Sequence, residues 1–487
     1  MGEEVDAQEF SRTDRTRHRE KVRRCLDVFA RMLRDARFDT DDPMVGLEVE
    51  LNLVDEAGDP AYKNTEALER IADPDFVTEL GQFNLEINVP PARLREGGLT
   101  TFEQTLRRSL NDAELKSSEV GAHMVMIGIL PTLAEGHLGL DSITPNPRYR
   151  LLSEQIMSAR GEDISISIEG PERLVTTSDS IVPEAACTSF QIHVQTSPEQ
   201  FAVYWNASQA ITAIQVALGA NSPYLVGKEL WRETRIPLFE QATDTRSEEL
   251  KAQGVRPRVW FGERWINSVF DLFEENVRYF PALLPITDEE DPLEVLEGGG
   301  TPQLPELRLH NGTIYRWNRP VYDISDGVPH LRVENRCLGA GPTVADMIAN
   351  AAFYFGLVRF LAESERPLWS QMSFSAVEEN FHAAAEHGIE TQVYWPGVGQ
   401  VPVTELVLRK LLPMARAGLA AWGVPDEEAN RSLDIIEGRC LTGVNGADWF
   451  ARRMHDRSDL DRYDALRTTL QDYRERMHSN RPVHTWD

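Results

Sequence analysis

The sequence predicts a mixed α+β protein: a mainly antiparallel sheet with flanking helices, followed by a helical C-terminal region. Three observations carry that expectation. Residues 44 to about 340 run in short apolar–polar alternations broken by Gly, Pro, Asn and Asp, which is how antiparallel strands and turns read. Inside that stretch, Thr101–Leu115, Gln200–Leu218 and Arg264–Phe280 repeat their apolar residues at helical spacing instead. From Thr343 onward helical patterns dominate. The expected division is a basic helical arm over residues 1–43, a central domain over 44–345 and a mainly helical region over 346–487.

The arm reverses the charge of the whole. The 487 residues carry 50 Lys+Arg against 78 Asp+Glu, a net charge of −28, yet residues 12–24 hold seven basic and two acidic side chains. Val22, Cys25, Leu26, Phe29 and Leu33 follow at helical spacing, so the basic residues share an amphipathic helix that Pro43 closes off. Its apolar stripe is short, which favours a docked arm or a contact within a homo-oligomer over a membrane-surface helix. The overall acidity excludes a dedicated nucleic-acid binder, which needs a basic face to displace counterions. It does not exclude an anionic ligand in a pocket, because local and net charge can differ. Cys25, Cys187, Cys337 and Cys440 are far apart and form no C-x-x-C pair, as expected of a reduced compartment. The charged N-terminus lacks an apolar signal core, and the run Met347–Ala362 is interrupted by Asn350 and Arg359. No membrane partner is expected, and the expected location is cytoplasmic. Asp288–Glu297, followed by three glycines, reads as an acidic flexible loop, and Arg439–Gly446 as a helix–helix turn.

Chemistry enters through one repeated design. In Val45–Leu53 the odd positions are apolar, so Glu48, Glu50 and Asn52 share the opposite face of a strand. The same alternation puts Asn84, Glu86 and Asn88 together, then Gln191, His193 and Gln195, then Arg332, Glu334 and Arg336. Solvent faces alternate too, but two Glu on one strand face repel unless a cation lies between them. Carboxylate oxygens suit Mg²⁺, and arginines suit phosphate oxygens. The four faces together predict a metal–nucleotide site. No Walker-type phosphate loop, strand-linked G-x-G-x-x-G or H-E-x-x-H competes with it.

Three segments then resemble a known family. Gly46-Leu47-Glu48-Val49-Glu50 resembles the G-x-E-x-E opening of the glutamate–cysteine ligase type 2 family, carboxylate–amine ligases related to glutamine synthetase. Glu79-Leu80-Gly81-Gln82-Phe83-Asn84-Leu85-Glu86 is similar to that superfamily's second carboxylate pair, and Arg332-Val333-Glu334-Asn335-Arg336 to its R-x-E-x-R strand. The resemblance spans about residues 44–345. It implies a glutamine synthetase-like curved sheet and makes 44–345 a catalytic ATP- and metal-binding domain. By the same resemblance, Glu48, Glu50, Glu79, Glu86, His193 and Glu334 are metal ligands. Arg332 and Arg336 contact the transferred phosphoryl group beside Glu334, and Gln195 faces the nucleotide with Arg336. The segment Asn221–Arg235 resembles the amino-acid substrate region, with Arg235 first and Arg232 second as partners for a substrate carboxylate. Arg319, Arg148 and Tyr149 are further candidates.

The implied activity is an ATP-dependent ligase using Mg²⁺ or Mn²⁺, joining an acid to an amine through an acyl phosphate. Its partners are small-molecule amino-acid substrates and ATP. The rival readings are a non-catalytic nucleotide- or metal-binding protein of the same fold, and a guanidino phosphotransferase.

Overall fold

A computed structural model describes residues 10–35, 37–39 and 43–487. Seven strands build one curled antiparallel half-barrel sheet: β1 (Val45–Val54), β2 (Phe76–Thr78), β3 (Asn84–Ala92), β4 (His123–Val125), β5 (Ser189–Thr196), β6 (Asn318–Ser325) and β7 (Val328–Gly339). Their spatial order is β6-β7-β5-β1-β3-β2, with β4 taking over from β5 beside the end of β1. Period-2 alternation sorts the strands' side chains. Leu47, Val49, Leu51, Leu85, Ile87, Phe190, Ile192, Val194, Leu331 and Val333 are all buried on one face. The polar set lies on the other.

Two irregularities aim the polar face. Near the start of β1, Val45 pairs with Ala92 while Leu47 pairs with Val89, so Pro90 and Pro91 fall in a bulge. Proline has no N–H to give a ladder and is tolerated there. On β7, Asn335 pairs with Ile192 but Leu338 with Phe190, so Arg336 and Cys337 together oppose Gln191. The extra residue keeps Arg336 on the polar face and sends the Cys337 side chain into the core, where it is fully buried.

The apolar face packs against the helix Pro198–Gly219, which is buried all round because the helices Val344–Ala362 and Phe374–His387 cover its other side. The polar groups at that interface are mutually satisfied: Gln215 and Asn318 both hydrogen-bond Asn335. The helix Val344–Ala362 is the one described helix long and apolar enough to cross a membrane, and 83% of its most apolar 18-residue window is buried inside the protein. Its Gly356 meets Gly418 of the helix Leu412–Ala421 backbone to backbone. A Cβ at Gly418 would stand 1.8 Å from the Gly356 carbonyl oxygen, so only glycine permits that crossing.

The N-terminal helix Arg12–Arg34 starts with a Ser11–Asp14 capping box and docks onto the chain itself. Val22, Cys25, Val28, Phe29 and Met32 are buried, and Phe29 meets Phe273 and Tyr322 edge-on. Its outer rim pairs with Asp288–Glu297, where the structure overturns the flexible-loop expectation. Pro292–Glu297 is helical, capped by Asp291, whose carboxylate also pairs with Arg24 while Arg31 lies 3.2 Å from Glu297. The basic helix lies against the acidic run, which is helical there. Within Arg439–Gly446 the helix–helix turn is confined to Gly443–Asn445: Arg439–Thr442 still belong to the helix that Gly443 closes, and Asn445 caps the next.

Candidate functional site

The polar sheet face is the floor of a cavity of about 800 Å³ lined by Glu48, Glu50, Glu79, Glu86, Arg235, Arg319, Arg332 and Arg336, among others. Pairing registers explain the convergence. Glu50 sits directly across from Glu86, and Glu334 lies across from both His193 and Arg319. Glu79 arrives from the turn after β2. Ligand oxygens of Glu50, Glu79 and Glu86 all lie within 4.8 Å of one another.

Each carboxylate of this triad is steered from the protein side. Glu50 accepts from the Ser189 amide at 2.6 Å and from the Gln191 carboxamide at 3.0 Å. Glu86 accepts from Asn88 at 2.9 Å, and Glu79 from the Leu80 amide at 3.2 Å. These donors hold the oxygens without neutralising them. Burial, then the neighbouring carboxylates, push Glu86 well above the usual range. Burial together with the Glu50 charge lifts Glu79 to about 7. Glu50 is also raised by burial, although Arg336 opposes the shift.

The other end of the floor is balanced by bases. Burial alone would raise Glu334, but Arg319 at 2.8 Å and Arg336 at 3.3 Å hold it well below the carboxylate range. Burial likewise works against Glu48, and His193, 3.2 Å away, overcomes it and brings Glu48 to about 2. Arg332 donates to His193 Nδ1 at 3.1 Å and to Asp323 at 3.1 Å. The residues fit a divalent cation. Beyond the triad, His193 Nε2 and Glu334 Oε1 are buried on this face, and their ion pairs with Glu48 and Arg336 lack hydrogen-bond geometry. A charge-dense oxygen set with one imidazole is the donor chemistry of a hard metal.

The remaining expected site residues divide. Arg235 reaches the cavity wall, but its guanidinium also donates to the Cys337 carbonyl at 2.7 Å and lies 3.3 Å from buried Glu233. Gln195 is held by the Met44 amide at 2.9 Å and donates to Asp39 at 3.3 Å, outside the lining of the cavity. Arg232 differs from expectation: it pairs with Glu229 at 3.1 Å and Asp448 at 3.5 Å, facing the C-terminal helices rather than the carboxylates. Arg148 and Tyr149 line the cavity. Glu184, absent from the sequence-derived set, lines it as well, and burial with the Glu79 charge pushes it up to about 8. Its only sequence signal is being the lone acid in the apolar run Ile181–Cys187.

A curled antiparallel half-barrel sheet followed by a helical C-terminal region matches ligase-like folds. The family model for glutamate–cysteine ligase family 2 (GCS2) matches residues 44–465, and the chain belongs to that family. No curated protein sequence matches it. Among solved structures, it is similar to a glutamate–cysteine ligase from Francisella tularensis in complex with AMP, with 12% identity, a TM-score of 0.53, and coverage of 91% of this chain and 93% of that one. A bifunctional glutathione synthetase from Pasteurella multocida gives 14% identity, a TM-score of 0.46, and coverage of 93% and 55%. The complex of the prokaryotic ubiquitin-like protein Pup with its ligase PafA gives 10%, 0.36, and 88% and 71%.

Proposed function

We propose that the protein is an ATP-dependent carboxylate–amine ligase that activates an acid as its acyl phosphate and passes the acyl group to an amine. The observation that carries the reading is the carboxylate triad of Glu50, Glu79 and Glu86 sharing one cavity with Arg332 and Arg336. Glu48, Glu50, Glu79, Glu86, His193 and Glu334 would hold Mg²⁺ or Mn²⁺, which supplies charge neutralisation for phosphate oxygens.

The protein's own groups do the rest. Arg332 and Arg336 carry fixed positive charge at the cavity floor, where their N–H groups favour the build-up of negative charge on phosphoryl oxygens. Arg319 neutralises buried Glu334, so Glu334 stays ionised and oriented. Arg235 is the candidate for a substrate carboxylate, since it lines the cavity and Arg232 does not. Glutamate and cysteine are the default acid and amine by family. The setting is cytoplasmic, with small molecules and ATP as partners.

The test is incubation with ATP, Mg²⁺ or Mn²⁺ and a panel of acids and amines, following phosphate release and product mass. Release that requires both acid and amine, with an amide product, is the expected result. Nucleotide binding without turnover across the panel sinks the reading in favour of a binding protein, and a phosphorylated guanidine without amide sinks it in favour of phosphotransfer.

A further inference from the structure

We propose that Glu184, backed by the aromatic walls of Phe239 and Tyr315, is the subsite that receives the amine substrate as a primary ammonium carrying an apolar body. This rests on the ligase reading above and names the second substrate's side of the same cavity. Glu184 stands on the short turn Val182–Ala186, which packs against the helix Arg235–Ala242 that contributes Phe239. Glu184, Phe239 and Tyr315 all line the cavity. Glu184 Oε2 is sealed from solvent and has no hydrogen-bond partner.

A buried carboxyl oxygen left without a partner is costly until it is neutralised, by a proton in the empty cavity or by a cation that displaces that proton. That cation is hydrogen-bonded rather than coordinated. Glu184 is not among the three carboxylates whose oxygens converge within 4.8 Å, and no other such group exists among the described residues. The same cavity wall carries aromatic rings, of which Trp317 already takes the Arg235 guanidinium over its face at 5.8 Å, leaving Phe239 and Tyr315 for a ligand. The Phe239 ring lies 5.3 Å from Tyr315 and 5.7 Å from Trp317, both edge-on. Ring faces attract ammonium and cover alkyl carbon, which a hydrated metal ion would not use. Glu184 lines the same cavity as Glu79, Glu50 and Arg336, so a cation held there shares the chamber in which the acid would be activated. The turn thus presents an acceptor where the nucleophile has to wait.

The test uses the full-length protein with saturating Mg²⁺ and needs no turnover. Calorimetric titration compares n-butylamine, charged at neutral pH, with n-butanol. The amine should bind, and the alcohol should bind about tenfold more weakly or worse. Glu184→Gln should weaken the amine by about tenfold or more and leave the alcohol unchanged. In the same variant Mn²⁺ affinity, read by electron paramagnetic resonance, should match that of the wild type. Its ligand-free thermal midpoint should be at or above wild type, since a neutral amide replaces an unpaired acid. Absence of amine binding to the wild type, or unchanged binding in Glu184→Gln, overturns the proposal. So does a loss of Mn²⁺ affinity, which would make Glu184 a metal ligand, or a clear drop in midpoint, which would make it a structural anchor. Failure of the ligase reading shows separately, as no phosphate release dependent on acid and amine. If ligation is observed, Glu184→Gln should raise the amine KM and leave the acid KM unchanged.

Discussion

Glu86 lies across from Glu50 and within reach of Glu79, so the metal-free protein confines three carboxylates where at most part of their charge can be tolerated. Function and stability therefore oppose each other at this residue. Glu86→Gln removes one repelling charge and keeps the shape. Without metal, its thermal midpoint should rise by about 1–3 °C, while its Mn²⁺ affinity should fall by about tenfold or more. Differential scanning calorimetry and metal titration read the two effects, and a midpoint below wild type would contradict them. The same residues set a pH dependence. Glu79 titrates near 7 and Glu184 near 8 in the folded chain, against an ordinary 4.5. Raised folded values mean that the unfolded chain loses these protons first. Their contribution to stability is complete below 4.5 and disappears as pH climbs to about 8. Metal-free thermal midpoints should fall across that window. Saturating Mg²⁺ should stabilise more at the alkaline end, because binding needs the deprotonated oxygens.

At the scale of elements, the N-terminal helix shows which force docks an arm. Its visible contacts with the acidic helix Pro292–Glu297 are ionic, but Arg24 and Asp291 keep 49% and 30% of their side chains exposed, and such pairs contribute little. Beneath them Phe29 is fully buried among Phe38, Phe273 and Tyr322. Phe29→Ala should therefore cost about 3–5 kcal/mol in urea unfolding, and Arg24→Ala less than about 1 kcal/mol. Comparable losses would mean that charge, not packing, holds the arm. This distinction also marks what was legible in the sequence. β1, β3, β5 and β7 were readable because a period of two puts every second residue on the cavity side, and because their polar residues are carboxylates, imidazole and guanidinium. Contacts made by fold-back were not. Asp288–Glu297 lies against a helix more than 250 residues earlier. Glu184 belongs to the cavity only because its turn packs on the helix Arg235–Ala242. Arg232 and Arg235 stand three residues apart, yet one turns to the C-terminal helices and the other to the β7 bulge, a choice no local pattern encodes.

For the whole molecule, the charge of −28 must be carried by a chain with one large apolar core and a small separate cluster of Trp260, Phe280 and Ile314. Self-repulsion of that size weakens the compact state, and salt screens it. The Debye length falls from about 30 Å at 0.01 M to about 10 Å at 0.1 M, so most relief comes in that range. The thermal midpoint should therefore climb steeply with KCl up to about 0.1 M and more slowly beyond. Mg²⁺ should act twice: as a screening ion, and as a ligand of the carboxylate cluster. The two actions separate by dose and by variant. Site binding saturates at a fixed stoichiometry and is weakened in Glu86→Gln, whereas screening grows smoothly and is indifferent to that substitution. A Mg²⁺ titration at high constant KCl, run on both proteins, isolates the site. A saturable rise in midpoint for the wild type, much reduced in Glu86→Gln, is the expected outcome. Parallel curves for the two proteins would assign all of the stabilisation to general screening and leave the carboxylate cluster without a metal to hold.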